Sequence, residues 1–435
     1  MRRISWTAAI AAGLTGAMVL TGCGGGQSAG GPAPASGGDF TGEYDGPDVT
    51  LSYWNGFTGG DGPFMQDLVD QFNKDHANIK VESNTIQWAD FYQRVPAAVQ
   101  AGQGPDVGVM HLDQLATHAA RNIIVPVDDL AKGIGLTEDD FTPEIWNAGI
   151  YKDKRYGIPL DVHSLAMYYN KDHFEKAGIS EPPTDEASFK DALDKLQAAG
   201  YKTPFWMPSL WPSHLMFLTL SWQNGEPPYG EDGQEATYGS DAGVSALEWQ
   251  RSMVDDGYSP PNVAIDSQYA AFKNGQNSIT WDGIWQINDL EANNINYGIA
   301  PVPTIGDEDA VWANSHHFFI STQGAKDKNK LAASQVFIAW MSEHSADWAG
   351  SGMIPARESV RADAVKGLPQ EVIADQIGNM RFLPPVPGLG GVQAEALEPA
   401  VANGVLGEAD PAESLKSAAS KANQLMQRNR ESFGN

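Results

Sequence analysis

From Val49 onward the chain alternates strand-like and helix-like pieces, and this alternation limits the available folds more than any other feature. "VTLSYW" (49–54) has the β-branched and aromatic content of a buried strand. "GPFMQDLVDQFNKDH" (62–76) follows, with Phe64, Leu68 and Phe72 at helical spacing and Pro63 suited to a first helical turn. Next come the strand "IKVESNTI" (79–86), the helix "ADFYQRVPAAVQAG" (89–102), interrupted by Pro96, and the strand "PDVGVMH" (105–111). A β-α-β-α-β order predicts a mostly parallel sheet covered by helices. Ligands of such sheets sit beyond the carboxyl ends of the strands.

Those ends are chemically alike. The first strand runs into "WNGFTGGDG", the second into "NTIQWAD" and the third into "MHLDQ". Together they offer Trp54, Asn55, Thr58, Asp61, Gln87, Trp88, His111 and Asp113 to one rim. Any one of these residues suits a turn or a packed aromatic. Three consecutive strand ends of the same character predict a binding rim. Flat aromatic side chains beside fixed donors and acceptors suit a ligand with an apolar face and a polar edge.

The chain has 435 residues, 42% of them hydrophobic, enough for two domains with sizeable cores. Asp and Glu outnumber Lys and Arg by 55 to 28, a formal charge of −27. Such a surface repels phosphate backbones and anionic headgroups, so no nucleic-acid partner is expected. "MRR" and the apolar run "ISWTAAIAAGLTGAMVL" have the form of a secretory signal, assigned to 1–22. The run ends in "LTGC", which resembles the bacterial lipobox and implies that Cys23 is lipidated. Cys23 is the only cysteine, so no internal disulfide forms and stability must come from packing. Residues 23–47, rich in Gly, Ser, Ala and Pro, read as a flexible tether spanning roughly 25–30 Å. No later stretch approaches the ~20 apolar residues of a membrane span.

Four blocks carry a more specific resemblance. "YGIPLDVHSLAMYYNKDHFEKAGISEPPTDEASFKDALDKL" (156–196), "YAAFKNGQNSITWDGIWQINDL" (269–290), "NYGIAPVPTIGDEDAVWANSHHFFISTQGAKDKNKLAASQVFIAWMS" (296–342) and "SGMIPARESV" (351–360) occur in this order. They resemble the extracellular solute-binding proteins of ATP-binding-cassette importers, in the family that includes maltose-binding protein. The resemblance implies an α/β, two-lobed periplasmic-binding-protein fold of type II, closing on a solute between the lobes. It places 48–159 and 303–345 in the first lobe, and 160–302 and 346–435 in the second. "YGIPLDV" (156–162) and "YGIAPVP" (297–303) become the hinge crossovers, with Pro-restricted extended backbone.

By the same resemblance, the Trp of the Gly-x-Trp block stacks on the sugar from the second lobe, and here it maps to Trp285, with Asp282 beside it. Trp281, one strand residue earlier, reads as core. In "PFWMPSLWPSHLMFLTLSWQNG" (204–225), Trp211 is the preferred contact and Trp222 reads as core. Asp161 stands where the family carries a crossover carboxylate, with His163 near it. Arg357 offers a fork to vicinal oxygens, or a salt bridge to one of many carboxylates. In "NSHHFFIS" (314–321), His316 and His317 point to opposite faces of a strand, so they cannot easily chelate one ion, and no metal or cofactor is expected. One of the two faces the cleft with Ser315. With the resemblance, these features imply a monomeric, lipid-anchored protein outside the cytoplasmic membrane, delivering a sugar, an oligosaccharide in preference to a monosaccharide, to importer permease subunits. The alternative is a secreted carbohydrate hydrolase using two cleft carboxylates among Asp61, Asp106, Asp161 and Asp282.

Overall fold

The first sheet grows from the alternation in order. Strand β1 (Val49–Asn55), helix α1 (Gly62–Asp75), β2 (Ile79–Thr85), α2 (Trp88–Gln100) and β3 (Val107–His111) follow one another, and β1 is parallel to both β2 and β3. Leu51, Tyr53 and Asn55 alternate inward along β1, and α1 adds Met65, Leu68, Val69 and Phe72 to the core. Helix α2 runs through Pro96 without ending. A mid-helix proline costs about 3 kcal/mol, and the burial of Phe91, Val95 and Val99 on one face offsets that cost.

The computed structural model describes residues 40, 42–230 and 232–434. The expected signal peptide 1–22, the lipidation of Cys23 and most of the tether lie outside these residues. The tether ends earlier than residue 47: Phe40 and Tyr44 pack against the core, and Asn78 Nδ2 donates to the Tyr44 carbonyl at 2.8 Å. Two aromatic rings give that segment apolar surface that its Gly- and Ser-rich beginning lacks.

The crossing between lobes is abrupt. Strand β4 (Ile158–Pro159) belongs to the first sheet and β5 (Asp161–Asn170) to the second, with Leu160 alone between them. Its N–H donates to His316 O at 2.8 Å and its carbonyl accepts from Ala356 N at 3.1 Å. Strand β5 is buried along its length except at Tyr169, which is why "VHSLAM" reads as a nearly continuous run. On its second half it pairs antiparallel with β6 (Ile279–Gly283) and β7 (Tyr297–Ala300). On its first half it pairs with β8 (Val311–Asn314) and with the short strand Ile354–Pro355.

The second crossing differs from expectation. Strand β8 is still in the second sheet, whereas β9 (His316–Ile320) lies antiparallel to β3 in the first. The chain therefore passes between lobes at Ser315, not within Tyr297–Pro303. Pro301 and Pro303 have no N–H for a ladder, so the chain leaves the sheet there, but Gln223 ties the loop to the second lobe. Its amide donates to Pro303 O at 3.1 Å and Ala310 O at 2.9 Å, and its oxygen accepts from Ile305 N at 2.8 Å. The C-terminal segment sits on the second lobe and also reaches the first, where Gly388 N donates to Thr117 Oγ1 at 2.8 Å.

Behind β6 lies the second lobe's aromatic core. Trp281 is fully buried, stacked on Trp249 at 5.3 Å and flanked by Phe189 and Phe205. Asp282 is also buried, accepting from Gly283 N at 2.8 Å and from Gln268 and Gln286 at 3.3 Å. Burial outweighs these hydrogen bonds and raises its pKa to about 6.

Trp281→Ala is expected to destabilise the protein by about 3–5 kcal/mol, read as a lower urea midpoint. Since Asp282 has a folded pKa above its unfolded one, its stabilising contribution is present below about pH 4 and lost as pH rises through about 6. The wild type should therefore gain about 2 kcal/mol relative to Asp282→Asn between pH 7 and pH 4. A pH-independent difference between the two unfolding curves would contradict this.

Candidate ligand-binding site

The carboxyl ends of β1 to β3 face the start of β5 and the Ser315 crossing, and their side chains converge there. His316 is paired with His111 in the first sheet, and His163 comes from β5. The three rings are neighbours, with centroids 4.4 Å apart for His163 and His316, 4.6 Å for His111 and His316, and 5.4 Å for His111 and His163. Asp161 lies beneath them, wholly buried. It accepts from His316 N at 3.0 Å, His316 Nδ1 at 2.8 Å, His163 Nδ1 at 3.2 Å and Trp348 Nε1 at 2.8 Å.

Each lobe adds a tryptophan seated over a glycine. Trp88 stacks on His316 at 5.3 Å, and its ring covers Gly56 so closely that a Cβ there would lie 2.1 Å away. Trp285 stands edge-on to His163 at 5.8 Å, and a Cβ on Gly283 would lie 2.0 Å from its ring. The glycine of "WDGIW" is thus required by the fold-back of the tryptophan two residues later. Trp211, 39% exposed, is 6.4 Å from Trp285 and extends the aromatic surface outward. The two lobes touch at this rim, for a Cβ on Gly60 would come within 2.9 Å of Asp289 N.

Electrostatically the site is an acidic pocket in which burial disfavours charge on His111 and His163. Burial opposes the charge on Asp161, but His316 and the imidazole hydrogen bonds hold its carboxyl well below the usual range. Burial raises Asp61 to about 6, moderated by His316 and by hydrogen bonds within its turn. Burial also raises Asp113, although Asn314 and Gln114 donate to it at 3.0 and 2.9 Å. Burial, and then His316, push His163 down to about 4 and hold His111 well below the ordinary histidine value.

The remaining expected residues stand elsewhere. Asn55 is buried, its oxygen accepting from Phe57 N and Thr85 Oγ1. Trp54 is half-buried with its indole donating to Ser52, and Thr58 is exposed. Gln87 caps α2 through Ala89 N at 3.1 Å. Asp282 is turned inward, as described above. Arg357 is bound to Asp140 at 2.7 Å, and Asp106 to Lys330 at 2.7 Å. Ser315 is buried. His317 points away from His316, against Gly157, and burial lowers it to about 3.

Sequence reading left out Tyr92, Trp312, Asn314 and Trp348. Tyr92 holds His111 Nδ1 at 2.5 Å. Trp312 lies 6.2 Å from His163 and 6.4 Å from Trp285. Trp312, Asn314 and His316 alternate in sequence, so the two-residue period of a strand points to them. Trp348 sits in a short 3-10 turn (Asp347–Ser351) that has no such period. His316 and His317 do not share a face, but β3, β5 and β9 bring His316 together with His111 and His163, remote in sequence.

Residues 56–348 match the family described as bacterial extracellular solute-binding protein. A binding protein of Brucella abortus is 24% identical over 389 residues, covering 84% of this chain and 90% of that protein. The sn-glycerol-3-phosphate-binding periplasmic protein of Pectobacterium atrosepticum is 25% identical over 322 residues, covering 68% and 71%. Among solved structures, the GacH receptor of Streptomyces glaucescens, seen unliganded and with acarbose, aligns with a TM-score of 0.77 at 22% identity over 88% of this chain and 99% of that one. The maltose-maltodextrin binding protein of Alicyclobacillus acidocaldarius aligns with a TM-score of 0.73 at 21% identity over 86% and 100%. The likenesses in structure carry the two-lobed fold, and the match across most of the chain means that it belongs to the bacterial extracellular solute-binding proteins.

Proposed function

We propose that this protein captures a neutral sugar, an oligosaccharide in preference to a monosaccharide, and presents it to the permease of an ATP-binding-cassette importer. One observation carries this reading: Trp211 and Trp285 on one lobe and Trp88 on the other flank a polar centre of Asp61, Asp113, Asp161 and three histidines. Flat rings suit the C–H faces of pyranoses, and acidic acceptors suit their hydroxyls. Relatives bind sn-glycerol 3-phosphate, and structural neighbours bind acarbose and maltodextrins. Between an anion and a sugar, the charges favour the sugar. The centre holds three carboxyls, His111 and His163 are biased toward the neutral form, and Arg357 is committed to Asp140.

Contacts from both lobes exist together only when the lobes are closed, so binding energy shifts the population toward the form that docks on the permease. A micromolar affinity corresponds to about 8 kcal/mol net. Lipid on Cys23 would keep this monomer at the outer face of the cytoplasmic membrane.

Calorimetry against mono- and oligosaccharides and sn-glycerol 3-phosphate, in a chelating buffer, tests the reading. Heat should saturate at one equivalent of an oligosaccharide. Sustained heat that scales with time would instead mean hydrolysis, and saturation by the phosphate ester alone would mean an anion site. Trp285→Ala should weaken sugar binding at least ~10-fold, about 1.4 kcal/mol. Gly283→Ala should do the same by displacing that ring, since Gly283 has an ordinary φ of −79°. Unchanged affinity in both variants would remove Trp285 from the site. Cys23→Ser should move the protein from the membrane fraction to the soluble one, and retention of the variant on membranes would refute lipidation there.

A further inference from the structure

The three histidines have a property that sugar binding does not require. Nδ1 of both His163 and His316 lies on the Asp161 carboxylate, which also accepts from His316 N and Trp348 Nε1. With Nδ1 so engaged, Nε2 is the nitrogen that each ring has left for a ligand. His316 Nε2 is buried and has no hydrogen-bond partner. On the third ring, the Tyr92 hydroxyl takes up Nδ1 of His111, which leaves Nε2 as its free nitrogen as well. One ring nitrogen from each of the three residues lies within 4.8 Å of the other two.

We propose that His111, His163 and His316 form a binding site for a divalent transition-metal ion, Zn²⁺ being the best match, at the junction of the two lobes. Three imidazoles whose far nitrogens are oriented by a carboxylate or a hydroxyl are the pattern that holds such an ion. The Asp161 carboxylate beneath the rings favours a cation between them. Zn–N bonds of about 2.0–2.1 Å require the nitrogens to draw closer than 4.8 Å. His111 and His316 belong to the first sheet and His163 to the second, so the ion would pull the lobes together. Three protein ligands leave a fourth position for water or a ligand hydroxyl. This proposal does not depend on the sugar reading.

The test is metal content of the purified protein after dialysis against ZnCl₂ in sugar-free buffer, followed by X-ray absorption of the zinc-bound wild type. The wild type should hold one Zn²⁺ per chain with three imidazole ligands at about 2.0 Å. His316→Gln and His163→Gln should lose at least 100-fold in affinity, while His76→Gln, a histidine at the end of α1, should retain it. Tyr92→Phe should weaken binding about 10-fold through the orientation of His111. Wild-type metal content no higher than that of His316→Gln would overturn the proposal. So would an absorption spectrum with fewer than three imidazoles, which decides the matter even if the variants do not fold.

Discussion

The buried carboxylate of Asp161 is the interaction around which the two lobes are arranged. An uncompensated charge inside a protein is prohibitively costly, and Asp161 is fully buried. Four donors surround it: the backbone and imidazole of His316 from the first sheet, His163 from the second, and the Trp348 indole from the connecting turn. No single lobe supplies the set. The carboxylate therefore fixes where the chain may cross, which is at Leu160 just before it and at Ser315 just before His316. It also orients the imidazoles of His163 and His316 that line the cleft.

Around that centre, function rests on aromatic rings held by glycine. Trp88 over Gly56 and Trp285 over Gly283 repeat one device in the two lobes. Each ring is fixed by backbone it could not approach if a Cβ intervened, so each platform is rigid before a ligand arrives. Such preorganisation lowers the ordering cost of binding. The bulk of the second lobe, from the Trp281 and Trp249 stack to the C-terminal helices, then serves as a stiff mount for Trp285.

Much of this was legible in the sequence, for identifiable reasons. The β-α-β-α-β order was visible because β1 to β3 carry strong β-branched and aromatic runs and α1 a clear helical period. Asp61, Trp88, His111 and Asp113 were named from the strand ends, Asp161, His163 and Trp285 from the family resemblance and His316 from the paired histidines of its strand, and the fold gathers them around one centre. The second crossing was misplaced because the prolines after β7 mark an exit from a sheet, and nothing in the local sequence reveals that Gln223 retains the loop. The histidine cluster was missed because its members lie on three strands, and proximity across sheets has no signal in spacing along one. Arg357 carries suitable chemistry, but its partner Asp140 comes from a distant segment, and Asp282 is buried against Gly283 N, Gln268 and Gln286 on the inner side of its strand.

The central claim is that the carboxyl ends of the first sheet and the start of β5 form a single site with Trp285. A crystal structure of the protein grown with its best-binding oligosaccharide tests it most directly. A sugar ring should lie against Trp285, with hydroxyls directed to the carboxyls and imidazoles around Asp161. Sugar density elsewhere, such as in the cavity of about 240 Å³ between Pro182–Thr184 and Pro301–Thr304, would contradict the account.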